Sequence, residues 1–134
     1  MTSSEEEKET SLIGDYPEEY IKGIELFNQG EYFEAHETWE SLWLVSTGAE
    51  KRFLQGLIQS AVALYHYELQ RFGAARKTFE RAREKLLGLP QQYMSLDIPT
   101  FLNQMERFFR YEPGEAPLKP HGSSPRPTLP VAKA

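Results

Sequence analysis

The stretch Glu31-Tyr-Phe-Glu-Ala-His-Glu-Thr-Trp-Glu-Ser-Leu-Trp43 decides the fold. Its apolar residues recur every three or four positions, which is the spacing of one face of an α-helix. At about 100° of rotation per residue, Trp39 and Trp43 lie about 40° apart, and His36 lies within about 60° of both. Glu40 lies at the border of this apolar stripe. The stretch therefore predicts an amphipathic helix with a polar His–Glu pair beside two core tryptophans.

The same periodicity continues along the chain, and no segment shows the alternation of a strand. We predict five helices, at about residues 16–30, 31–45, 47–70, 74–87 and 97–112. The patterns Asp15-x-x-Glu18 and Thr47-x-x-Glu50 resemble capping boxes, in which the first side chain accepts a hydrogen bond from a backbone N–H of the first turn. Asp97-Ile-Pro99 indicates the start of the last helix, because proline is favoured in a first turn.

An internal repeat becomes visible when the chain is shifted by 40 residues. Glu31–Glu40 then aligns with Arg71–Glu80, and the two segments share alanine, threonine, glutamate and aromatic residues at equal positions. Each half is typical of a helical hairpin of the tetratricopeptide type, but that repeat has ~34 residues and needs at least three copies. We therefore expect a compact all-α bundle of about five helices, built from two tetratricopeptide-like hairpins and closed by a C-terminal helix.

The two ends of the chain differ in composition from the part between them. Residues 1–13 are rich in Glu, Ser and Thr and bury too little to order themselves. From Pro113 onward there are six prolines, a density that forbids helix. We expect a disordered acidic N-terminus over residues 1–13, a helical-bundle domain over 14–112 and a Pro-rich disordered tail over 113–134.

Composition narrows the classes of function. The chain of 134 residues suffices for one domain and has 40% hydrophobic and 26% charged residues. The net charge of −5 provides no positive field for nucleic acid or an anionic membrane. The absence of cysteine excludes disulfides, thiolate metal sites and cysteine nucleophiles. The acidic first residues lack the apolar segment of a signal peptide, so we expect a cytoplasmic protein.

A metal site is one hypothesis for His36 and Glu40, because side chains four residues apart share a helix face. A further ligand would have to come from another helix, and His66 is the candidate. A zinc-peptidase helix would need a second histidine where Glu40 stands, and Glu37 points about 100° away from His36. The Glu-x-x-His pairs of ferritin-like bundles are absent as well. We therefore predict no cofactor, with His36, Glu40 and His66 as the residues that a metal would use.

The alternative is structural. A polar group in an apolar stripe needs a partner, so His36 would be buried and bonded to Glu40 or to a polar group of the next helix. The predicted third helix carries polar residues along one side: Arg52, Gln55, Gln59, His66 and Gln70. This side is either a solvated face or a polar layer in which Gln59 or His66 meets His36 and Glu40.

The segment His36-Glu-Thr-Trp-Glu40-Ser-Leu-Trp43 has the signature H-x-x-x-E-x-x-W of a known family. Residues 53–66 and 73–82 resemble the next two blocks of that family, in the same order. Over about residues 20–100 the chain is therefore similar to domain-of-unknown-function family 309. At residues 71–73 the family often has a Gly-Asn type of turn, and this chain differs there. The resemblance implies an all-helical fold and no particular activity.

These residues favour an interaction role over catalysis. No nucleophile, phosphate loop or complete metal constellation is recognisable, so we predict a non-catalytic interaction or scaffolding module. The alternative is a metal- or small-ligand-dependent enzyme that uses His36, Glu40 and His66. We expect a protein partner or self-association as a homodimer, and neither nucleic acid nor membrane. The candidate site residues are His36, Glu40, Trp43, Gln55, Gln59 and His66.

Overall fold

Five helices run through the part of the chain that the structure describes, residues 16–110 and 126–131 of a computed structural model. They are α1 Glu18–Asn28, α2 Tyr32–Trp43, α3 Gly48–Glu68, α4 Phe72–Leu87 and α5 Ile98–Phe108. The predicted all-α bundle of five helices is therefore confirmed. None of these five helices combines the length and apolarity that crossing a membrane requires. The predicted N-terminal segment, residues 1–13, lies outside the described residues.

α3 is the central helix. On one side its Tyr65 ring lies 5.2 Å from the Phe33 ring of α2, and on the opposite side its Gly56 contacts Leu86 of α4. The Tyr20 ring of α1 contacts the Phe53 ring of α3, and the Phe27 ring of α1 contacts the Phe101 ring of α5. α2, α3 and α4 therefore form a layer, and α1 and α5 cover one of its two faces.

Glycines allow two pairs of helices to approach closely, α3 with α4 and α1 with α2. A Cβ built on Gly56 would lie 2.6 Å from Leu86 Cδ2, so no larger residue fits at the contact between α3 and α4. On α1, a Cβ on Gly23 would overlap the Trp39 indole of α2. Trp39 is fully buried, and its Nε1 donates to the Tyr20 carbonyl oxygen at 3.2 Å. Both helix contacts thus depend on the absence of a side chain.

Two helix ends 40 residues apart have the same turn. After α1, Gly30 N donates to the carbonyl three residues back at 2.9 Å, and Glu31 N donates to the carbonyl five residues back at 2.8 Å. After α3, Gln70 N and Arg71 N make the same two bonds at 2.9 Å each. The left-handed φ values, +85° at Gly30 and +61° at Gln70, belong to this type of helix end. The turns produce the antiparallel hairpins α1–α2 and α3–α4.

The predicted start of α5 is confirmed, whereas the side-chain hydrogen bond predicted at the start of α3 is wrong. Asp97 Oδ1 accepts from Thr100 N at 3.1 Å. Thr47 precedes α3, but its side chain makes no cap hydrogen bond. Gly48 follows with φ +61°, a left-handed conformation that departs from helical geometry right beside the cap. The pattern that begins at Asp15 lies outside the described residues.

A short ribbon before α5 contradicts the expectation of a chain without strands. β1 Gln92–Tyr93 and β2 Leu96–Asp97 pair antiparallel. Met94 and Ser95 join them with φ of +47° and +67°, as a two-residue hairpin turn with two left-handed positions requires. Strands of two residues are too short for alternation to be visible in a sequence.

Part of the predicted tail, residues 113–134, lies against the bundle. Leu129 is 4% exposed, and its N–H donates to Asn28 Oδ1 at 2.8 Å. The Pro130 carbonyl oxygen accepts from Asp97 N at 3.2 Å. The expectation of disorder is therefore wrong for residues 126–131, because proline excludes helix but is compatible with pairing at a sheet edge. The rest of the predicted tail lies outside the described residues.

The two tryptophans predicted as core differ in burial, and alanine substitutions should show it. Trp39 is fully buried, so Trp39→Ala should lower the free energy of unfolding by about 3–5 kcal/mol. Trp43 is half-buried, so Trp43→Ala should cost about 1–2 kcal/mol. Urea denaturation followed by far-ultraviolet circular dichroism measures both. Equal losses would contradict this difference.

The segment over residues 126–131 should contribute to stability through Leu129. Leu129→Ala removes a buried side chain and should lower the free energy of unfolding by about 2 kcal/mol. Thr128 is exposed and bonds through its backbone N–H, so Thr128→Ala is the matched control, with an expected loss below about 0.5 kcal/mol. A loss at Leu129 as small as that of the control would show that the segment does not pack as described.

Candidate functional site

Three signature residues lie within about 60° of one another on one side of α2: His36, Glu40 and Trp43. Contacts at both ends of α2 locate this side. At the start of α2 the Phe33 ring meets the Tyr65 ring of α3, and at its end Lys51 of α3 lies over the Trp43 ring. The signature residues therefore follow the seam between α2 and α3.

His36 is half-buried and bonds within its own helix. Its Nδ1 lies 2.7 Å from the Phe33 carbonyl oxygen, and the two rings meet edge to face at 5.0 Å. Since a carbonyl oxygen can only accept, Nδ1 carries the proton. Glu40 is exposed and is not the partner. The expected buried His36–Glu40 pair is therefore wrong, because a carbonyl one turn earlier in α2 already satisfies the imidazole.

Trp43 is half-buried at the other end of the seam. Lys51 Nζ lies 4.3 Å from the centre of its ring, a cation–π contact that joins α2 to α3. The indole Nε1 is shielded from solvent and has no hydrogen-bond partner among the described residues. Buried indole N–H groups normally find an acceptor, so this N–H is a candidate donor to a molecule that covers the seam.

Two further polar atoms without a partner lie on α3. Gln59 Oε1 and His66 Nδ1 are shielded from solvent and unpaired among the described residues. Burial, together with the nearby Arg71 charge, lowers the pKa of His66 from its usual value. Neither residue bonds to His36 or Glu40, so the expected polar layer is not formed. Neither is fully solvated, so the simple solvated face is not the correct description.

These residues form one surface, the front face, on the side of the layer away from α1 and α5. It comprises Phe33, His36, Glu40 and Trp43 of α2 with Lys51, Gln55, Gln59, Val62, Tyr65 and His66 of α3. Between Arg52 and Glu68 the chain has no Asp, Glu, Lys or Arg. The outward residues of α3 are half-buried because α2 and α4 flank them. The front face is thus a recessed strip that is uncharged along the middle of α3 and carries polar atoms without partners among the described residues.

The candidate metal ligands do not converge. Within residues 16–110 and 126–131, no three His, Asp or Glu side chains are grouped so that they could hold an ion. His36 uses Nδ1 within α2, and Glu40 is directed to solvent. The alternative function based on His36, Glu40 and His66 therefore lacks the arrangement that it requires.

A separate cleft of about 500 Å³ lies between α4 and α5. Its lining includes the apolar residues Leu86, Ile98 and Leu102 and the charged residues Arg83 and Glu106. None of the six predicted site residues lines it. Sequence reasoning missed it because Arg83 and Glu106 belong to ordinary charged patterns on two different helices.

Fold and surface together define a small helical protein whose signature residues lie at a helix seam. Comparison of this chain with known protein families and solved structures identifies its family. The model for "Domain of unknown function (DUF309)" matches residues 20–78, which include all six candidate site residues. A crystal structure of a conserved hypothetical protein from Thermus thermophilus is 36% identical, with a TM-score of 0.60 over 68% of this chain and 94% of that chain. This chain belongs to domain-of-unknown-function family 309.

The uncharacterised protein YpuF of Bacillus subtilis (strain 168) is a further relative. It is 39% identical over 64 residues, which are 46% of this chain and 37% of YpuF. The chain therefore matches well under half the length of this curated relative. The structural similarity to the Thermus thermophilus protein agrees with the fold described above. The names of both relatives describe no activity.

The lowered pKa of His66 should make stability depend on pH. In the unfolded chain His66 takes up a proton below about pH 6.5, whereas the folded chain keeps it neutral to lower pH. Its contribution to stability is therefore complete above about pH 6.5 and is lost as the pH falls towards the folded pKa. Between about pH 7 and 5, the free energy of unfolding should fall less in His66→Gln than in the wild-type chain. Gln55→Ala is the control, and an unchanged slope in His66→Gln would contradict the prediction.

Proposed function

We propose that this protein is a non-catalytic interaction module and that its front face binds a protein partner. The supporting observation is that this one surface carries three shielded polar atoms without partners among the described residues: Trp43 Nε1, Gln59 Oε1 and His66 Nδ1. An unpaired buried polar group costs roughly 1–3 kcal/mol. A partner that supplies hydrogen bonds to such groups would recover part of this cost on binding.

The apolar residues of the front face support the same proposal. Phe33 is 41% exposed, and the rings of Trp43 and Tyr65 are partly exposed along the same seam. Leu44 and Leu69, which are 66% and 42% exposed, extend the surface at its two ends. Protein interfaces are enriched in aromatic residues and depleted in charge at their centre. The front face has both properties, because its charges lie at the edges.

Catalysis has less support on the same surface. A general acid or base must reach its partner within hydrogen-bond distance. His36 bonds to its own helix, Glu40 is exposed, and His66 is not grouped with either. The cytoplasmic location predicted from the sequence remains part of the proposal.

Site-specific photo-crosslinking in cells that express the full chain tests the proposal. A benzophenone amino acid replaces Gln55 on the front face or, as a control, Lys22 on the exposed side of α1. We expect a discrete protein adduct from position 55 and none from position 22. No adduct from position 55, or equal adducts from both positions, would mean that the front face is not an interaction surface.

A further inference from the structure

We infer that the partner of the front face is a second copy of this chain, packed front to front about a two-fold axis that runs along α3. The inference rests on the proposed interaction function and names the partner. It is supported by the charges at the two edges of the front face, by the unpaired atoms on α3 and by the size of the surface.

The α2 edge of the front face is acidic. α2 contains three glutamates and no lysine or arginine. Glu37 and Glu40 are exposed, and they lie about 100° and 40° from His36 around the helix, on the outward side of the seam. A molecule that docks on the front face therefore meets negative charge along this edge.

The α4 edge is basic. Arg76 and Glu80 pair with each other at 3.1 Å on the side of α4 that faces α5, where Arg76 also donates to the Phe109 carbonyl oxygen. Lys85 and Arg81 lie about 180° and 140° from Arg76 around α4, on the side away from α5 and towards the front face. Because they are four residues apart, they form one stripe. Within α4 five basic residues outnumber two acidic ones. The front face is thus negative along one edge and positive along the other.

Charge complementarity selects one arrangement of two copies. A two-fold axis along α3 places α2 of one copy over α4 of the other, so that Glu37 and Glu40 face Arg81 and Lys85. An axis across the helices would place α2 over α2 and α4 over α4, with like charges opposed. Because a two-fold interface is isologous, the favourable edge contact occurs twice.

The same arrangement offers partners to unpaired atoms of α3. Since α3 lies along the axis, each of its outward residues stands opposite the same residue of the second copy. Gln59 can then donate an amide N–H to Oε1 of the partner's Gln59 and accept one in return. The absence of charge between Arg52 and Glu68 allows this part of the two helices to approach without burying an ion, and Lys51 lies in the first turn of α3, at the end of the contact.

The front face is also large enough to form a stable dimer interface. α3 has 21 residues and is about 31 Å long. Three helices with spacings of about 8–10 Å give a width of about 20 Å, hence a projected area of about 600 Å². Stable interfaces bury about 800 Å² of accessible surface on each partner, and the accessible area of a ridged helical surface exceeds its projection.

Reversal of the edge charges tests this dimer by light scattering and sedimentation over a concentration series. One wild-type chain has a mass of 15.5 kDa, and the species measured in solution should have twice that mass. Glu37→Lys with Glu40→Lys, or Arg81→Glu with Lys85→Glu, should each raise the dimer dissociation constant by about tenfold or more, because both edges become repulsive. The exposed pair Glu19→Lys with Glu25→Lys on α1 is the control with the same change in charge as the first variant.

Two rescue experiments separate the edge contact from general effects of charge. A chain with all four substitutions, at Glu37, Glu40, Arg81 and Lys85, exchanges the signs of both edges and should dimerise like the wild type. A mixture of the acidic-edge and basic-edge variants should form a dimer that neither forms alone. The inference would be overturned if the wild-type chain is monomeric or if the chain with all four substitutions is monomeric. It would also be overturned if the front-edge variants raise the dimer dissociation constant no more than the α1 control does. If the wild-type chain is monomeric but position 55 still crosslinks to another protein, the interaction function stands and self-association is wrong.

Discussion

The structure depends on the burial of α3 between α2 and α4. Because two helices flank α3 and the aromatic core covers its back, a charge in its middle would have to leave water, and none occurs between Arg52 and Glu68. Gly56 allows α4 to approach, and a side chain there would meet Leu86. The side of α3 that faces away from the aromatic core is only half-buried, between α2 and α4. This remaining side belongs to the front face, where Gln59 Oε1 and His66 Nδ1 have no partner within residues 16–110 and 126–131.

The two hairpins explain where the signature residues lie. When the chain is shifted by 40 residues, His36 aligns with Arg76 and Trp43 with Arg83. Arg76 bonds to the Phe109 carbonyl at the end of α5, and Arg83 lines the cleft beside α5. The equivalent positions of α2 adjoin α3. In both hairpins, therefore, these positions adjoin the next helix along the chain, so the signature lies at a helix seam and not in an enclosed pocket.

Periodicity along single helices was enough to predict which side of its helix each candidate residue occupies. His36, Trp43, Gln55, Gln59 and His66 all lie on the front face, because the side of a helix that a residue occupies follows from its position in the sequence. The partners of these residues could not be derived in this way. A carbonyl of α2 bonds to His36 and replaces the expected Glu40, while Gln59 Oε1 and His66 Nδ1 have no partner among the described residues.

By itself, the sequence determined that the chain is helical, where its main turns fall and which side of each helix is apolar, since these depend on spacings of a few residues. Only the tertiary structure decided which sides meet, because helix contacts depend on rotation and distance between elements far apart in the chain. It placed Leu129 in the core, beside Asn28, although the surrounding prolines indicated a free tail. It also brought the acidic α2 and the basic α4 to opposite edges of one face whose middle, on α3, carries no charge between Arg52 and Glu68, a relation that neither helix shows alone.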